Sequence, residues 1–329
     1  MGNASVTGAV NTTCLMDEGF LTTMMPPVLA IFFILAAGFN SLSLWILCFC
    51  IKQKTPIDIL MLNLCVGDLL FSLTYPLMII YYSNNSHWIF GNFMCKLQAF
   101  ITFSSLLASV FFLACISSYR CYMIIKPIQS QNRITKKCTI ILSAIIWLLT
   151  CGFTCSAFLA INIFELNGKL QCMSFNEPNI TDHLLSSTIT VFVLVFLIPF
   201  VSLLVSTILI RWELANSKFT SQSQQRGQHA IKMTEAVLFI FLICFFPPVV
   251  TRFLIATVDR NNCPIFQKLG IAFYSSLLCL YLNGVLNPIV YYYSGTKYRS
   301  KLIEIMKSWK HFNKPMPASS NRNESESRQ

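Results

Sequence analysis

Charged residues are scarce in this chain: they make up 11% of its 329 residues, whereas 55% are hydrophobic. A soluble domain normally carries about 25% charged residues. The shortage indicates that lipid surrounds much of the chain. The net charge of +11 does not predict a nucleic-acid partner, because the basic residues lie in short clusters between apolar runs and form no continuous face.

The residues that a membrane-embedded enzyme needs are also missing. The sequence has no HExxH pair for a metallo-hydrolase. Asp68 is the only carboxylate that our boundaries place deep in an apolar run, so an aspartyl hydrolase lacks its second acid. None of the four histidines lies deep in such a run, so a serine hydrolase lacks a base. We therefore expect no enzyme activity. A transporter or channel is disfavoured because the two halves show no matching repeat.

Histidine is too sparse, and cysteine too dispersed, to predict a metal centre. No pair of the 14 cysteines combines CxxC spacing with nearby histidines. Many cysteines lie inside apolar runs, where we interpret them as small buried hydrophobic residues. We expect no cofactor.

Seven long apolar runs dominate the sequence. Each is long enough to cross a bilayer core of ~30 Å, which needs about 20 helical residues. The predicted spans are 25–50, 57–82, 93–124, 138–162, 184–212, 230–257 and 266–293. This pattern predicts an all-α membrane protein with a seven-helix bundle. We expect an N-terminal segment at 1–24, the bundle at 25–293, an amphipathic helix at 294–311 and a disordered tail at 312–329.

Two independent signals predict the orientation. Nineteen of the 24 Lys and Arg residues lie in the first, third and fifth connections and in the tail. The positive-inside rule therefore places the N-terminus outside the cell and the tail in the cytoplasm. Four glycosylation sequons lie on the predicted outer side, at Asn3, Asn11, Asn84 and Asn179. We expect a multi-pass protein of the plasma membrane, with the first span as its insertion signal, since Met1 to Thr23 lacks a signal-peptide pattern.

Four cysteines fall on the predicted outer side, in an oxidising compartment. They are Cys14, Cys95, Cys172 and Cys263. Four cysteines allow three pairings, which sequence cannot distinguish. We prefer Cys95 with Cys172 and Cys14 with Cys263.

The stretch after the last span predicts an amphipathic helix from Thr296 to Trp309. Its apolar face carries Tyr298, Leu302, Ile305, Met306 and Trp309, and its basic face carries Lys297, Arg299, Lys301, Lys307 and Lys310. Such a helix lies on the anionic inner leaflet, so membrane lipid is an expected partner.

Polar residues and prolines recur at set positions within the spans. The stretches are Gly38-Phe39-Asn40, Asn63 to Asp68, Cys95, Arg120 with Lys126-Pro127, Trp147, Pro199, Cys244 to Pro247, and Asn287-Pro-Ile-Val-Tyr291. In order and separation they resemble the rhodopsin-like (class A) G-protein-coupled receptors over nearly the whole chain. His87 to Gly91, Cys115 to Cys121, Pro247 to Arg252 and Leu286 to Tyr293 are most similar to the branch that holds nucleotide, lysophospholipid and hydroxycarboxylic acid receptors. A Cys14–Cys263 pairing is also common there.

The resemblance implies an ion site in the middle of the bundle. Ser109, Asn283 and Asn287 would face Asp68, and the four could hold an allosteric Na⁺ through oxygen ligands and water. The alternative is a protonated or hydrogen-bonded Asp68 that only joins helices. The resemblance also implies a conformational switch at Asn287, Pro288, Tyr291, Pro247 and Phe245, where Phe245 replaces the usual tryptophan.

In this family the arginine at the position of Arg120 contacts a heterotrimeric G protein, together with its neighbours, here Tyr119 and Cys121. Tyr119 replaces the acid that normally pairs with the arginine, and Arg226-Gly227-Gln228 supplies no acid at the matching place on the sixth span. Because an unpaired buried arginine is costly, we expect Arg120 to reach water or hydroxyl groups. The missing acids predict raised basal signalling; the alternative is a loss of coupling.

Arg252 is the main candidate for ligand binding. The resemblance implies that a basic residue here contacts a phosphate or carboxylate, and a guanidinium can bind either bidentately. Lys268 and Arg260 would add positive potential, while Thr102, Phe103 and Leu106 would suit a lipid chain or a ring. The alternative is that Arg252 only extends to the membrane interface.

The third span has no basic residue between Lys96 and Arg120, whereas hydroxycarboxylic acid receptors carry an anchoring arginine there. This favours a lysophospholipid, another lipid acid or a nucleotide over a small carboxylate. The sequence thus predicts a receptor that binds an extracellular anionic small molecule or lipid and activates a G protein. The alternative is a receptor-fold protein with weak or constitutive coupling that acts as an orphan or scaffold.

Overall fold

The computed structural model describes Cys14 and residues 19–174, 181–216, 221–258 and 262–312. The elements in chain order are α1 (Gly19–Trp45), α2 (Pro56–Ser72), α3 (Tyr75–Ser83), α4 (Gly91–Ile125), α5 (Pro127–Arg133), α6 (Lys136–Ala160), β1 (Phe164–Leu166), β2 (Lys169–Gln171), α7 (Thr181–Val191), α8 (Ile198–Asn216), α9 (Ser221–Thr257), α10 (Cys263–Ser294) and α11 (Thr296–Phe312). Asn3, Asn11, Asn179, Arg260 and residues 313–329 of the predicted tail lie outside the described residues, whereas residue 312 ends α11.

Seven helical segments within the described residues are long and apolar enough to cross a membrane, which agrees with the predicted seven-helix bundle. They are Gly19–Cys50, Pro56–Ser83, Gly91–Ile125, Lys136–Cys155, Leu184–Asn216, Gly227–Thr257 and Cys263–Tyr293. The first helix begins at Gly19 and the sixth at Ser221, both earlier than predicted. Hydropathy marks only the part of a helix in lipid, and a helix continues into water as long as its backbone bonds are kept.

Prolines interrupt the helices in two different ways. The second span is broken between α2 and α3, and Pro76 lies in the first turn of α3. The Phe71 carbonyl at the break accepts both the backbone N–H of Thr74 at 3.0 Å and Thr74 Oγ1 at 2.6 Å. In the fifth span, a π-helical segment at Phe192–Leu197 joins α7 to α8 just before Pro199. Proline has no N–H to donate, and just before it the backbone changes to the wider π pattern, with Ile198 N–H bonded to Val193 O.

α4 is the central helix of the bundle. It packs against α2, α6, α8 and α9. All seven residues from Ser104 to Val110 are buried, which is the pattern of a helix surrounded on every side. The other large contacts are between α9 and α10, and between α1 and both α3 and α10.

The two ends of the bundle carry different features. At one end, here called the disulfide end, Cys95 pairs with Cys172 and Cys14 with Cys263, with Cα–Cα distances of 5.9 Å and 5.3 Å. These are the pairs preferred from the sequence. The antiparallel β1–β2 hairpin also lies there and accepts a 2.7 Å hydrogen bond from Trp88 N–H at Leu170 O. The opposite end carries Arg120 and is called the arginine end.

α11 follows directly after α10 and is tied to the bundle. Tyr298 is 2% exposed, and its hydroxyl lies 2.7 Å from the Ser43 hydroxyl of α1. Leu302 and Ile305 pack against the core, as the predicted apolar face requires, whereas Met306 is exposed.

Candidate ligand pocket and signalling core

Asp68 lies on α2 in the middle of the bundle and is 2% exposed. Asn287 Nδ2 lies 2.9 Å from each carboxylate oxygen, and Tyr291 Oη donates to Oδ2 at 2.9 Å. Asn287 and Tyr291 are four residues apart, so one face of α10 presents both donors. Tyr291 also donates to Asn40 Oδ1 on α1 at 3.3 Å. The carboxylate therefore joins α1, α2 and α10.

The other two predicted ion ligands belong to the same buried network. Ser109 Oγ on α4 lies 3.2 Å from Nδ2 of both Asn283 and Asn287. The Oδ1 atoms of Asn283 and Asn287 are buried and have no hydrogen-bond partner among the described residues. Buried acceptors without a donor are rare, and carboxylate, hydroxyl and amide oxygens are ligands that a hard cation takes. The four residues therefore fit the predicted Na⁺ site.

A line of polar side chains extends from this network towards the disulfide end. It consists of Gln98, Thr102, Ser105 and Ser109, whose spacing of four, three and four residues places them on one face of α4. We call it the α4 polar line. Gln98 Oε1, Thr102 Oγ1 and Ser105 Oγ are buried without a hydrogen-bond partner in the described part of the chain. Bound water or a polar ligand would satisfy them.

Thr102 was a predicted ligand contact; Gln98 and Ser105 were not, although their helical spacing relative to Thr102 could have indicated them. Of the predicted apolar contacts, Leu106 is buried and Phe103 is half-buried. Thr188 on α7 adds another buried hydroxyl without a partner among the described residues.

Arg252 lies near the disulfide end of α9 and is half-buried. Its Nη2 atom donates to Ser187 Oγ of α7 at 3.2 Å. The preceding residue, Thr251, shares a 3.0 Å hydrogen bond with Ser276 of α10. Beside Arg252, α9 is thus hydrogen-bonded to both neighbouring helices. These bonds fix the position of the Arg252 guanidinium. Lys268, the second predicted cation, is exposed on α10.

An aromatic stack connects the π-helical segment of the fifth span to α9 at the base of this region. Phe245 is fully buried, and its ring stacks on Phe241 with centroids 5.0 Å apart. Phe241 stacks in turn on Phe196 in the π-helical segment, at 5.6 Å. Pro247 lies half a turn beyond Phe245. Because these rings are packed together, a rotamer change at Phe245 would move side chains of both α9 and the π-helical segment.

Arg120 is half-buried at the arginine end of α4. No hydroxyl bonds it in the described part of the chain, and its buried Nε atom has no partner there, so of the two expected partners water is the one left for the guanidinium. Thr207 on α8 uses its hydroxyl within its own helix, where it donates to the carbonyl of Leu203 at 2.8 Å. Asp58 on α2 acts on the guanidinium electrostatically, but this carboxylate accepts its hydrogen bonds from Thr55. Tyr119 and Cys121 flank Arg120. Tyr119 is half-buried and Cys121 is buried.

The sequence reasoning missed an ion pair at the same end. Arg211 of α8 donates from Nε to Glu235 Oε1 of α9 at 2.8 Å, and its Nη2 contacts the same oxygen. Both side chains are substantially exposed, so the pair contributes about 1 kcal/mol or less to stability. The sequence shows both charged residues, but only the packing of α8 against α9 brings them together.

Comparison with known proteins agrees with this geometry. Residues 39–291 match the model of the seven-transmembrane receptors of the rhodopsin family. This chain is a rhodopsin-family receptor. Its resemblance to class A is therefore confirmed. The members of this family are receptors, not enzymes.

Several curated receptors are similar over most of their length. Human hydroxycarboxylic acid receptor 3 is 30% identical over 87% of this chain and 73% of its own. Human lysophosphatidic acid receptor 4 is 31% identical over 89% of this chain and 79% of its own. The rabbit (Oryctolagus cuniculus) type-1 angiotensin II receptor is 28% identical over 88% and 82%.

Proposed function

We propose that this receptor binds an anionic small molecule or lipid acid at the disulfide end and activates a heterotrimeric G protein at the arginine end. The disulfide end faces the outside of the cell, because the basic residues cluster at the other end. The observation that carries the proposal is the combination of a cation, Arg252, with the buried hydroxyls of the α4 polar line.

The chemistry of this end suits an acid with an extended body. A guanidinium presents several N–H donors in a plane and binds a carboxylate or phosphate bidentately. Hydroxyls on α4 can bind a polar linker, and Phe103 with Leu106 offers an apolar wall. Two relatives are named for acids, hydroxycarboxylic and lysophosphatidic, which supports an anionic ligand. Because α4 supplies no cation between Lys96 and Arg120, a lipid acid or nucleotide is favoured over a small carboxylate.

A G-protein activation screen of lysophospholipids, fatty acids and nucleotides tests the proposal. For any agonist found, Arg252→Gln should lower potency roughly ten- to hundredfold, since a charge-assisted hydrogen bond contributes about 1.5–3 kcal/mol. Arg252→Lys keeps the charge but not the forked set of guanidinium donors, so potency should fall less than in Arg252→Gln. Lys169→Gln, an exposed cation in β2 at the same end, is the matched control. Equal losses in Arg252→Gln and Lys169→Gln would argue for a general charge effect and against a contact with Arg252.

Weak restraint of the inactive state is a second candidate property, favoured by Arg120. The guanidinium has no acid beside it in sequence, and the structure gives it no hydrogen bond among the described residues. A restraining ion pair at such a half-exposed margin would be worth ~1 kcal/mol or less. Its absence shifts the two-state equilibrium towards the signalling conformation by up to about fivefold.

Tyr119→Asp tests this by restoring an acid next to Arg120. Ligand-free nucleotide exchange on purified G protein should fall by roughly two- to fivefold. Tyr119→Phe, which removes only the hydroxyl, should leave the basal rate unchanged. If Tyr119→Asp has no effect and the wild-type receptor catalyses no exchange with any ligand, the protein acts as a scaffold.

A further inference from the structure

The outer edge of the β1–β2 hairpin is bonded to the connection between α3 and α4. Leu170 lies opposite Glu165 in the middle of the antiparallel pairing, and its N–H and C=O point away from β1. The N–H donates to His87 Nδ1 at 3.0 Å, and the C=O accepts the N–H of Trp88 at 2.7 Å. Both polar groups of an edge residue are therefore satisfied by two successive residues of the connection.

These two bonds differ in what can break them. Trp88 is fully buried, and its indole Nε1 donates to the carbonyl of Gly91 at 2.9 Å, so its backbone is firmly held. His87 is half-buried, and its bond comes from the side chain. A ring nitrogen of histidine accepts a hydrogen bond only while it carries no proton. A proton on Nδ1 therefore breaks the bond between His87 and Leu170 and leaves the bond between Leu170 and Trp88 intact.

The backbone that leads into His87 is strained. Asn85 and Ser86 have φ values of 56° and 57°, in the left-handed region that residues other than glycine rarely adopt. Such conformations persist where surrounding contacts hold them. The hairpin supplies one of these contacts, because Lys169 Nζ donates to the carbonyl of Asn85 at 3.1 Å. Weaker docking of the hairpin would therefore also let this turn relax.

The titratable side chains on the elements around His87 make the imidazole the group that responds to mild acid. In the described part of the chain they are Glu165 on β1, Lys169 on β2, Lys96 on α4, and Tyr81 and Tyr82 on α3. Of these residue types, only histidine ordinarily changes charge between about pH 5 and 8. Lys169 already places a positive charge on the same connection, so a second one at His87 is repelled. Glu165 is exposed, and water and salt screen its attraction.

The hairpin is linked covalently to the helix that lines the candidate ligand pocket. Cys172, two residues after Leu170, is bonded to Cys95 of α4. Cys95 lies three residues before Gln98, the first member of the α4 polar line. Because the disulfide remains when the His87 bond breaks, the hairpin can shift about Cys172 but cannot leave the bundle.

We propose that His87 is a proton-binding site at the disulfide end, where uptake of a proton by Nδ1 releases the edge of the hairpin from the α3–α4 connection. The neutral ring accepts the N–H of Leu170, whereas the charged ring presents a second donor to it. The contact therefore stabilises the docked hairpin at neutral and higher pH and is lost as the pH falls. If the pocket binds its ligand as in the proposed function, ligand affinity varies with the pH at this end. That consequence rests on the proposed function, whereas release of the hairpin does not.

Hydrogen–deuterium exchange of the ligand-free, full-length receptor tests the proposal at about pH 7.5 and about pH 5.5. The rates of the peptide that contains Leu170 are corrected for the intrinsic effect of pH on exchange. In the wild type, protection of this peptide should fall roughly two- to tenfold in acid, the effect of losing one hydrogen bond. His87→Asn places an amide oxygen near the position of Nδ1 and should keep the protection at both pH values. His87→Ala should show the low protection at both.

His183→Asn is the matched control, because it removes a histidine from α7 at the same end and should retain the wild-type response to acid. A wild-type hairpin with equal protection at both pH values would overturn the proposal. So would a response to acid that persists in His87→Asn, since another group would then bind the proton. Full protection of His87→Ala at about pH 7.5 would show that the bond to Leu170 does not hold the hairpin.

Discussion

Asp68 illustrates how one buried charge is stabilised at the scale of single residues. Its two oxygens accept bonds from Asn287 and Tyr291, while Ser109 and Asn283 complete a network with acceptor oxygens to spare. A buried charge must be paired or fully hydrogen-bonded, and here amide and hydroxyl donors do this without a basic residue. The same arrangement leaves oxygen ligands for a small cation.

Asp68→Asn should remove the response of the receptor to sodium. A cation that binds only the folded protein raises its thermal stability, so the wild-type melting temperature should be higher in NaCl than in KCl of equal strength. The asparagine variant lacks the anionic ligand and should melt at the same temperature in both salts. The measurement is thermal unfolding of purified receptor without agonist.

The matched control for this experiment is Asp58→Asn, which changes another buried carboxylate on α2 that bonds Thr55 instead of the network. It should lower the melting temperature in both salts but keep their difference. A wild-type receptor with identical stability in NaCl and KCl would leave Asp68 as a residue that only joins helices.

At the scale of elements, helices in this bundle are joined by single polar contacts placed where they cross. Trp147 Nε1 of α6 donates to Asn63 Oδ1 of α2 at 3.0 Å, and Asn40 Nδ2 of α1 donates to Gly284 O of α10 at 2.8 Å. Between lipid-exposed helices such bonds are valuable because packing alone gives little hydrophobic gain. A bond of this kind, between Tyr298 and Ser43, joins α11 to α1.

Removal of either hydroxyl should loosen α11. Ser43→Ala and Tyr298→Phe should each destabilise the receptor by about 0.5–1.5 kcal/mol. The double variant should cost little more than one single variant, because both remove the same bond. Thermal unfolding of all four proteins measures the coupling. Full additivity would mean that the two hydroxyls act independently.

At the scale of the whole molecule, the fold separates two chemistries along one axis. Disulfides, the hairpin and Arg252 lie at one end, while Arg120 and the Arg211–Glu235 pair lie at the other. The network around Asp68 lies between them and includes residues of α1, α2, α4 and α10. A ligand at the disulfide end can therefore act on the arginine end through helices that share this network, provided it binds the two states with different affinity.

The proposed orientation predicts which sequon carries a glycan. Asn84 is exposed next to the hairpin at the disulfide end, so it should be glycosylated if that end faces outside. Asn84→Gln should increase the gel mobility of receptor made in mammalian cells, and glycosidase treatment should reduce the difference between the two proteins. Asn323→Gln, in the predicted cytoplasmic tail, is the control and should have no effect. A mobility change in Asn323→Gln and none in Asn84→Gln would mean that the topology is the opposite of the one proposed.

The sequence alone determined the seven membrane spans, because backbone in lipid must satisfy its own hydrogen bonds and long apolar runs can do so only as helices. It also indicated Asp68, Arg120 and Arg252, since a charge in or beside an apolar helix stands out. Pro76 predicted a kink, but the sequence did not show that α2 would end at Ser72 and α3 begin at Tyr75.

Only the tertiary structure decided which residues meet. It placed Tyr291 on Asp68, turned Gln98 and Ser105 inward, paired Arg211 with Glu235 and brought His87 to Leu170. These contacts depend on how each helix is rotated and where it crosses its neighbours. Rotation and crossing are set by the packing of side chains from distant parts of the chain, which no single stretch of sequence contains.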